Sequence, residues 1–267
     1  MASWLSRMLA LALVIVGMTA CSAPEPDPGG LTRYYDITEL ITAVSAQQRV
    51  DRTARFSLRG ELIGAEGTRL RFTGAGELRI SDADVELSFT QVVTQAGADP
   101  QETGFVVLPD AVYLRMPDDG DADRPWVRVD PADIDPDAQQ LIALADQVTE
   151  RADLTGTLSR YADATLVTDA ADDVIGGDPA VRYTIVTDLA RAAATTPDAA
   201  LKAQLEQQVR AGLTRVTSTL WVDAAHRPLR SSARQQLPGI GTLAITSSYR
   251  DWGQVATIAP PPANQVR

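Results

Sequence analysis

Between Arg55 and Phe89 the chain alternates apolar and polar positions with a period of two. Phe56, Leu58 and Leu62 interleave with Arg55, Ser57, Arg59 and Glu61. Leu70, Phe72, Leu78 and Ile80 interleave with Arg69, Arg71, Glu77 and Arg79, and Val85, Leu87 and Phe89 with Asp84, Glu86 and Ser88. A strand that points successive side chains to opposite faces reads this way when one face is buried and the other meets solvent, so three consecutive antiparallel strands are predicted. Gly74 and Gly76 fall on the apolar face, where a glycine marks a bend, a bulge or a close approach by another group. Further strands are predicted at 105–108, 111–116, 126–129, 164–167, 180–187, 215–222, 228–236 and 242–249.

The apolar faces need a cover, and three helical patterns can supply it. Asp36 with Glu39 three residues on forms a capping pattern ahead of the stripe Ile37, Leu40, Ile41 and Val44. Asp135-Pro136 opens a helix to about Glu150 that carries Leu141, Leu144, Ala145 and Val148. Thr196-Pro197 repeats the signal before Leu201, Leu205 and Val209. Helix, meander, helix, strands, helix, strands is the order of an α+β domain built on one large curved antiparallel sheet. No internal repeat or second domain boundary interrupts it.

The N-terminus reads differently. Arg7 precedes an uncharged apolar run, Met8 to Ala20, of 13 residues, too short to cross a bilayer and of the length of a signal-peptide core. It ends in Met18-Thr19-Ala20-Cys21, which resembles the bacterial lipobox, with Met18 in place of the more usual leucine. Cys21 is the only cysteine, so it is the expected site of lipid attachment and no disulfide can brace the domain. The expected division is a signal peptide over 1–20, a lipidated tether over 21–33 containing the Pro/Gly/acidic run Ser22 to Gly30, and a domain over 34–267. The expected place is the outer face of the cell membrane, held by acyl chains.

Composition narrows the chemistry. A net charge of −11 repels nucleic acid and anionic headgroups, which leaves membrane attachment to the anchor. His226 is the sole histidine, in a hairpin between Ala225 and Arg227, where a surface turn is expected. Without a second histidine or a thiol in the domain, zinc chemistry and cysteine catalysis lack ligands and nucleophile. Neither a nucleophile elbow nor a phosphate-binding glycine loop is present. Asp119, Asp121, Asp123 and Asp130 have the spacing of calcium-loop ligands. Arg124 stands where the turn needs glycine, Pro125 follows, and the closing glutamate is missing, so a solvated acidic loop is expected. No catalytic residue, metal or cofactor is assigned, and the chain is not expected to be an enzyme. Trp126, Trp221 and Trp252 read as core or rim packing.

Several stretches taken together resemble the LppX/LprA/LprF/LprG lipoproteins of actinobacteria, whose fold is LolA-like. They are Ala111-Val112-Tyr113-Leu114 with Trp126-Val127-Arg128-Val129-Asp130; Asp178-Pro179-Ala180-Val181-Arg182-Tyr183-Thr184; Leu220-Trp221-Val222-Asp223-Ala224 with Arg227-Pro228-Leu229-Arg230; and Tyr249-Arg250-Asp251-Trp252-Gly253 with Ile258-Ala259-Pro260-Pro261-Pro262. The resemblance implies a half-barrel sheet with helices on its concave face, enclosing an apolar cavity for acyl chains. It implies binding of an acylated lipid or glycolipid and its carriage within the envelope, with an envelope transporter as a further partner. Positions on the apolar faces are then the cavity candidates: Phe56, Leu58, Leu62, Leu70, Phe72, Gly74, Gly76, Leu78, Ile80, Val85, Leu87, Phe89, Leu141, Leu144 and Val148. From the residues alone, such faces could equally close into a solid core. The competing function is a non-enzymatic envelope adaptor or sensor of the same fold that binds a partner protein.

Overall fold

The computed structural model describes residues 30–64, 67–81, 84–117 and 123–267. Cys21, the signal segment, most of the tether, and Asp119 and Asp121 of the acidic loop lie outside the described residues. The compact unit runs from Leu31 to Arg267. Leu31 and Tyr34 already pack against its core, and Arg33 pairs with Asp172 at 2.6 Å.

Helix α1 (Ile37–Asp51) starts where Asp36 accepts hydrogen bonds from the backbone N–H groups of Thr38 and Glu39. A six-stranded meander follows: β1 (Thr53–Gly64), β2 (Arg69–Ile80), β3 (Val85–Gln95), β4 (Gln101–Leu108), β5 (Ala111–Arg115) and β6 (Trp126–Val129). Helix α2 (Pro136–Ala152) is capped by Asp135 and has the predicted proline in its first turn, and α3 (Leu154–Arg160) continues from Asp153. Then come β7 (Thr165–Ile175), β8 (Asp178–Asp188), α4 (Leu189–Thr195), α5 (Ala199–Arg210), β9 (Arg215–Asp223), β10 (Pro228–Leu237) and β11 (Gly241–Arg250).

Three local expectations are corrected. The cap of α5 is Asp198, which accepts from the N–H groups of Ala200 and Leu201, and Thr196-Pro197 lies before it as an extended entry. Aspartate is at least as good a cap as threonine, and Pro197 favours extended backbone in the residue before it. Strand β7 runs on to Ile175 through Asp169, Asp172 and Asp173 because β8 holds it by backbone pairing, whatever its polarity. His226 does sit in the β9–β10 turn, in left-handed backbone (φ 63), but its ring is half-buried and Nε2 lies 3.0 Å from the Tyr34 hydroxyl.

All the strands join one open antiparallel sheet in the order β6-β5-β4-β3-β2-β1-β11-β10-β9-β8-β7. Each neighbouring pair is consecutive in sequence except β1 and β11. Directly paired residues share a face, so register sorts the side chains. One row on the inner face reads Phe56, Gly76, Phe89, Phe105, Leu114 and Val127, and the next reads Ala54, Leu78, Leu87, Val107, Val112 and Val129. Above these rows α2 places Ala145, Val148 and Ala152. Farther along the same face, α1 sets Leu40, Ile41 and Val44 on Val181, Tyr183, Leu220 and Val222. A buried bond from Thr155 Oγ1 to Gln48 Oε1, 2.6 Å, ties α3 to α1. The outer face carries Arg55, Arg59, Arg71, Arg79 and Glu77, and over β4–β6 the C-terminal tail packs Ile258, Ala256 and Val266 against Val106 and Tyr113.

Candidate functional site

The fifteen predicted positions all fall on the inner face or on α2, and the structure divides them into two groups. Phe56, Leu58, Leu78, Leu87, Phe89 and Val148 are buried together in one cluster, with Phe72, Ile80, Leu141 and Leu144 packed against it. Phe56 and Phe89 stack at 5.2 Å with their planes 14° apart, and Phe89 meets Phe105 at 6.3 Å. This stack explains the glycines. Gly76 lies between Phe56 and Phe89 in the register, and a Cβ there would come within 2.2 Å of the Ser88 carbonyl oxygen. At Gly74 a Cβ would fall 2.3 Å from the Phe89 ring, and at Gly60 2.0 Å from the Phe72 ring. Each glycine admits a neighbouring ring or strand to close approach. None leaves open room for a ligand.

Beyond the edge of α2 the inner face changes character. Toward the β1–β2 turn it continues as Leu62 paired with Leu70, and Phe72 paired with Val93. Across the β1–β11 boundary it continues as Leu243 and Ile245, which pair with Leu62 and Gly60. All six of these apolar side chains are only half-buried. The N-terminal half of α2 adds half-buried Leu141, Ile142 and Leu144 beside the same cluster. The result is an apolar strip that runs out from the closed core to solvent.

The polar groups beneath the helices are fixed and paired. Tyr249 hydrogen-bonds the Ala152 carbonyl at the end of α2 at 3.3 Å, and full burial pushes its phenol well above its ordinary range. Tyr183 donates to the Thr32 carbonyl, and burial pushes it up to about 12. Trp252 is buried, with its Nε1 donating to the Pro228 carbonyl at 3.0 Å. A cavity of about 340 Å3 between α1, α3 and the β2–β3 turn is lined by Gln48, Arg49, Asp153 and Thr155, and only Ile80 and Val85 among the predicted positions reach it. Asp130 accepts from the Ala132 N–H in the turn after β6. No His/Cys/Asp/Glu cluster that could hold a metal occurs among the described residues.

Solved structures with a related layout exist. The fold is similar to that of LprF from Mycobacterium bovis. Identity is 15% with a TM-score of 0.45, covering 85% of this chain and 99% of that one. A DUF1329 family protein from Desulfovibrio piger matches at 9% identity and TM-score 0.31, over 82% and 92% of the two chains. The LolA superfamily protein NE2245 from Nitrosomonas europaea matches at 10% and 0.26, over 82% and 93%. With identities and scores this low, they say nothing of what this chain binds. No family model and no curated protein matches the sequence.

Signals for the strip were present in the alternation of apolar positions. Where the core would stop was not, because that depends on how far α2 reaches across the sheet. Val93 lies beyond the clear alternation that ends at Phe89, and Leu243 and Ile245 join the strip only through the pairing of β11 with β1, which local sequence does not encode. No described helix is long and apolar enough to cross a membrane.

Proposed function

We propose that this chain is a lipid-anchored envelope protein, not an enzyme, that takes up an acyl chain of a lipid or glycolipid along its inner face and carries it within the envelope. The observation that carries the reading is the half-buried strip of Leu62, Leu70, Phe72, Val93, Leu243 and Ile245, continuous with a closed aromatic core. Burying apolar surface supplies the driving force in proportion to area. An acyl chain leaving a membrane for water loses about 0.8 kcal/mol per CH2, on the order of 12 kcal/mol for about 16 carbons. A strip that replaces most of this loss permits both uptake and release, with no cofactor and no energy source. The anchor at Cys21 keeps the carrier at the surface from which it loads.

The test is mass spectrometry of lipid extracted from natively purified protein, wild type beside Val93→Asp and Leu62→Asp. Both residues are half-exposed, so a charge there meets water and the fold should survive. Lipid in the wild type and its loss in both variants, at near-native melting temperature, is the expected result. Wild-type protein free of lipid would leave the adaptor reading in its place. In parallel, Cys21→Ala should release the protein from the membrane fraction, and retention as firm as wild type would contradict the anchor.

A further inference from the structure

The outer face holds a second site of different chemistry. Ser57 and Arg59 on β1, Thr246 and Ser248 on β11, and Arg230 on β10 line a cavity of about 420 Å3 in the middle of the sheet. The register makes them one patch: Ser57 pairs with Ser248, Arg59 with Thr246, and Ser248 with Arg230. No carboxylate lines the cavity. Elsewhere on this face Arg55 pairs with Glu77, Arg69 and Arg71 with Glu61, Arg79 with Glu86, and Arg182 approaches Asp169. Among the described residues Arg59 and Arg230 make no such pair, in a chain whose net charge is −11.

Arg230 is held in place by two independent features. The register of β10 against β9 shifts between Pro228 and Arg230. In a regular strand residues two apart share a face, yet Pro228 pairs with Val222 of the inner face while Arg230 pairs with Trp221 of the outer one. The extra residue, Leu229, re-aims the arginine, which is a known use of a bulge. The guanidinium then lies 5.9 Å over the Trp221 ring, and the indole is fixed in turn by donating from Nε1 to Asp173 at 2.9 Å. Asp173 also accepts from the Val174 N–H, and its carboxylate lies within electrostatic reach of both Arg182 and Arg230, though beyond ion-pair distance of Arg230. Arg230 Nε is buried and has no hydrogen-bond partner. A buried donor left without an acceptor is costly, and because Nε is closed off, contact with a ligand in the cavity falls to the terminal nitrogens of the guanidinium, which are not among the buried unpartnered atoms.

We propose that this cavity binds a phosphate group, either free or as the esterified head of a phosphorylated lipid. Two guanidinium groups and three hydroxyls offer many donors to an acceptor-only tetrahedral oxyanion, and arginine matches phosphate in a bidentate manner. The volume exceeds a bare phosphate, which leaves room for an ester substituent. Because the protein as a whole is acidic, its long-range field repels anions, and binding rests on these directional contacts. The site is on the opposite face of the sheet from the apolar strip, so it stands or falls independently of that reading.

The experiment is calorimetry of the mature chain with inorganic phosphate, with glycerol 3-phosphate and with a short-chain phosphatidate below its micelle concentration, alongside Trp fluorescence. Saturable binding should weaken at least about tenfold in Arg230→Met and in Arg59→Met, and remain in Arg210→Gln. Arg59 is exposed, so its variant keeps the fold even if Arg230→Met does not. Equal affinity for all three probes assigns the site to free phosphate, and preference for the two esters assigns it to a headgroup. Absence of saturable binding of every probe at millimolar concentration, or binding unchanged in Arg59→Met, overturns the proposal.

Discussion

Gly76 shows how a single residue is constrained by what surrounds it. A methyl group there would press on the backbone carbonyl of Ser88 in the neighbouring strand at 2.2 Å and on the buried Phe56 ring at 3.0 Å. Backbone cannot yield as a flexible side chain can, so Gly76→Ala should destabilise by about 1–3 kcal/mol, as overpacking does. Urea unfolding checks it, with the midpoint expected to fall. Asp51 gives a second residue-scale expectation. Its carboxylate, largely buried, is bonded by both Arg227 Nε at 2.7 Å and Nη2 at 2.8 Å, and this bonding lowers its pKa from the ordinary 3.8. Its stabilising contribution is therefore present above pH 3.8 and lost as pH falls through the lower, folded-state value. Thermal unfolding from pH 6 down to about pH 2 should show a steeper acid loss in wild type than in Asp51→Asn. At this scale the sequence announced alternation but not partners. Arg59 and Arg230 look in sequence like any other charged position on a solvated face, and only register and the bulge at Leu229 bring them together.

At the scale of elements, legibility followed length and capping. Helices α1 and α2 carry an aspartate cap and a long apolar stripe, and both were predicted near their true starts. Helix α3 was not, because Leu-Thr-Gly-Thr-Leu-Ser-Arg is short and rich in poor helix formers. It exists because Asp153 caps it through the Gly156 N–H and Thr155 locks it to Gln48. Helix α4 follows β8 without a break, and its alanines gave no period against which to set a boundary. The first turn of α2 bears directly on the strip, since Leu141 and Leu144 come from its N-terminal half. Asp135→Ala removes the acceptor for the Asp137 and Ala138 N–H groups and should cost about 1 kcal/mol. Hydrogen exchange should show the loss as faster exchange in the first two turns of α2, with β1–β3 protected as before.

For the molecule as a whole, the open sheet leaves two edges, and they are managed differently. At β6 the tail closes the edge: Arg128 donates its N–H to the Arg267 carbonyl, and Arg267 donates to the Trp126 carbonyl, forming a short parallel bridge at Val266. At β7 the edge strand carries Asp169, Asp172 and Asp173, the first two paired with Arg182 and Arg33, and charged side chains of this kind discourage pairing with another chain. Truncation after Pro262 should therefore expose β6 alone. Light scattering after size exclusion is expected to show concentration-dependent association of the truncated chain, and a strictly monomeric product would contradict the role given to the tail.

The strand order sets a timetable for assembly. β1 is the first strand made, and its outer neighbour β11 is the last, while every other pairing joins strands consecutive along the chain. As the polypeptide emerges, whether from a ribosome or from a secretion pore, β2 through β6 can zip onto β1 one hairpin at a time. The other side of β1 must wait, unpaired, until almost the whole length has been delivered. Contacts between distant parts of a chain form slowly, and an unpaired strand is exposed to the wrong partners in the interval. This single seam leaves one side of β1 open until β11 arrives, so the last strand delivered is the one that completes the sheet.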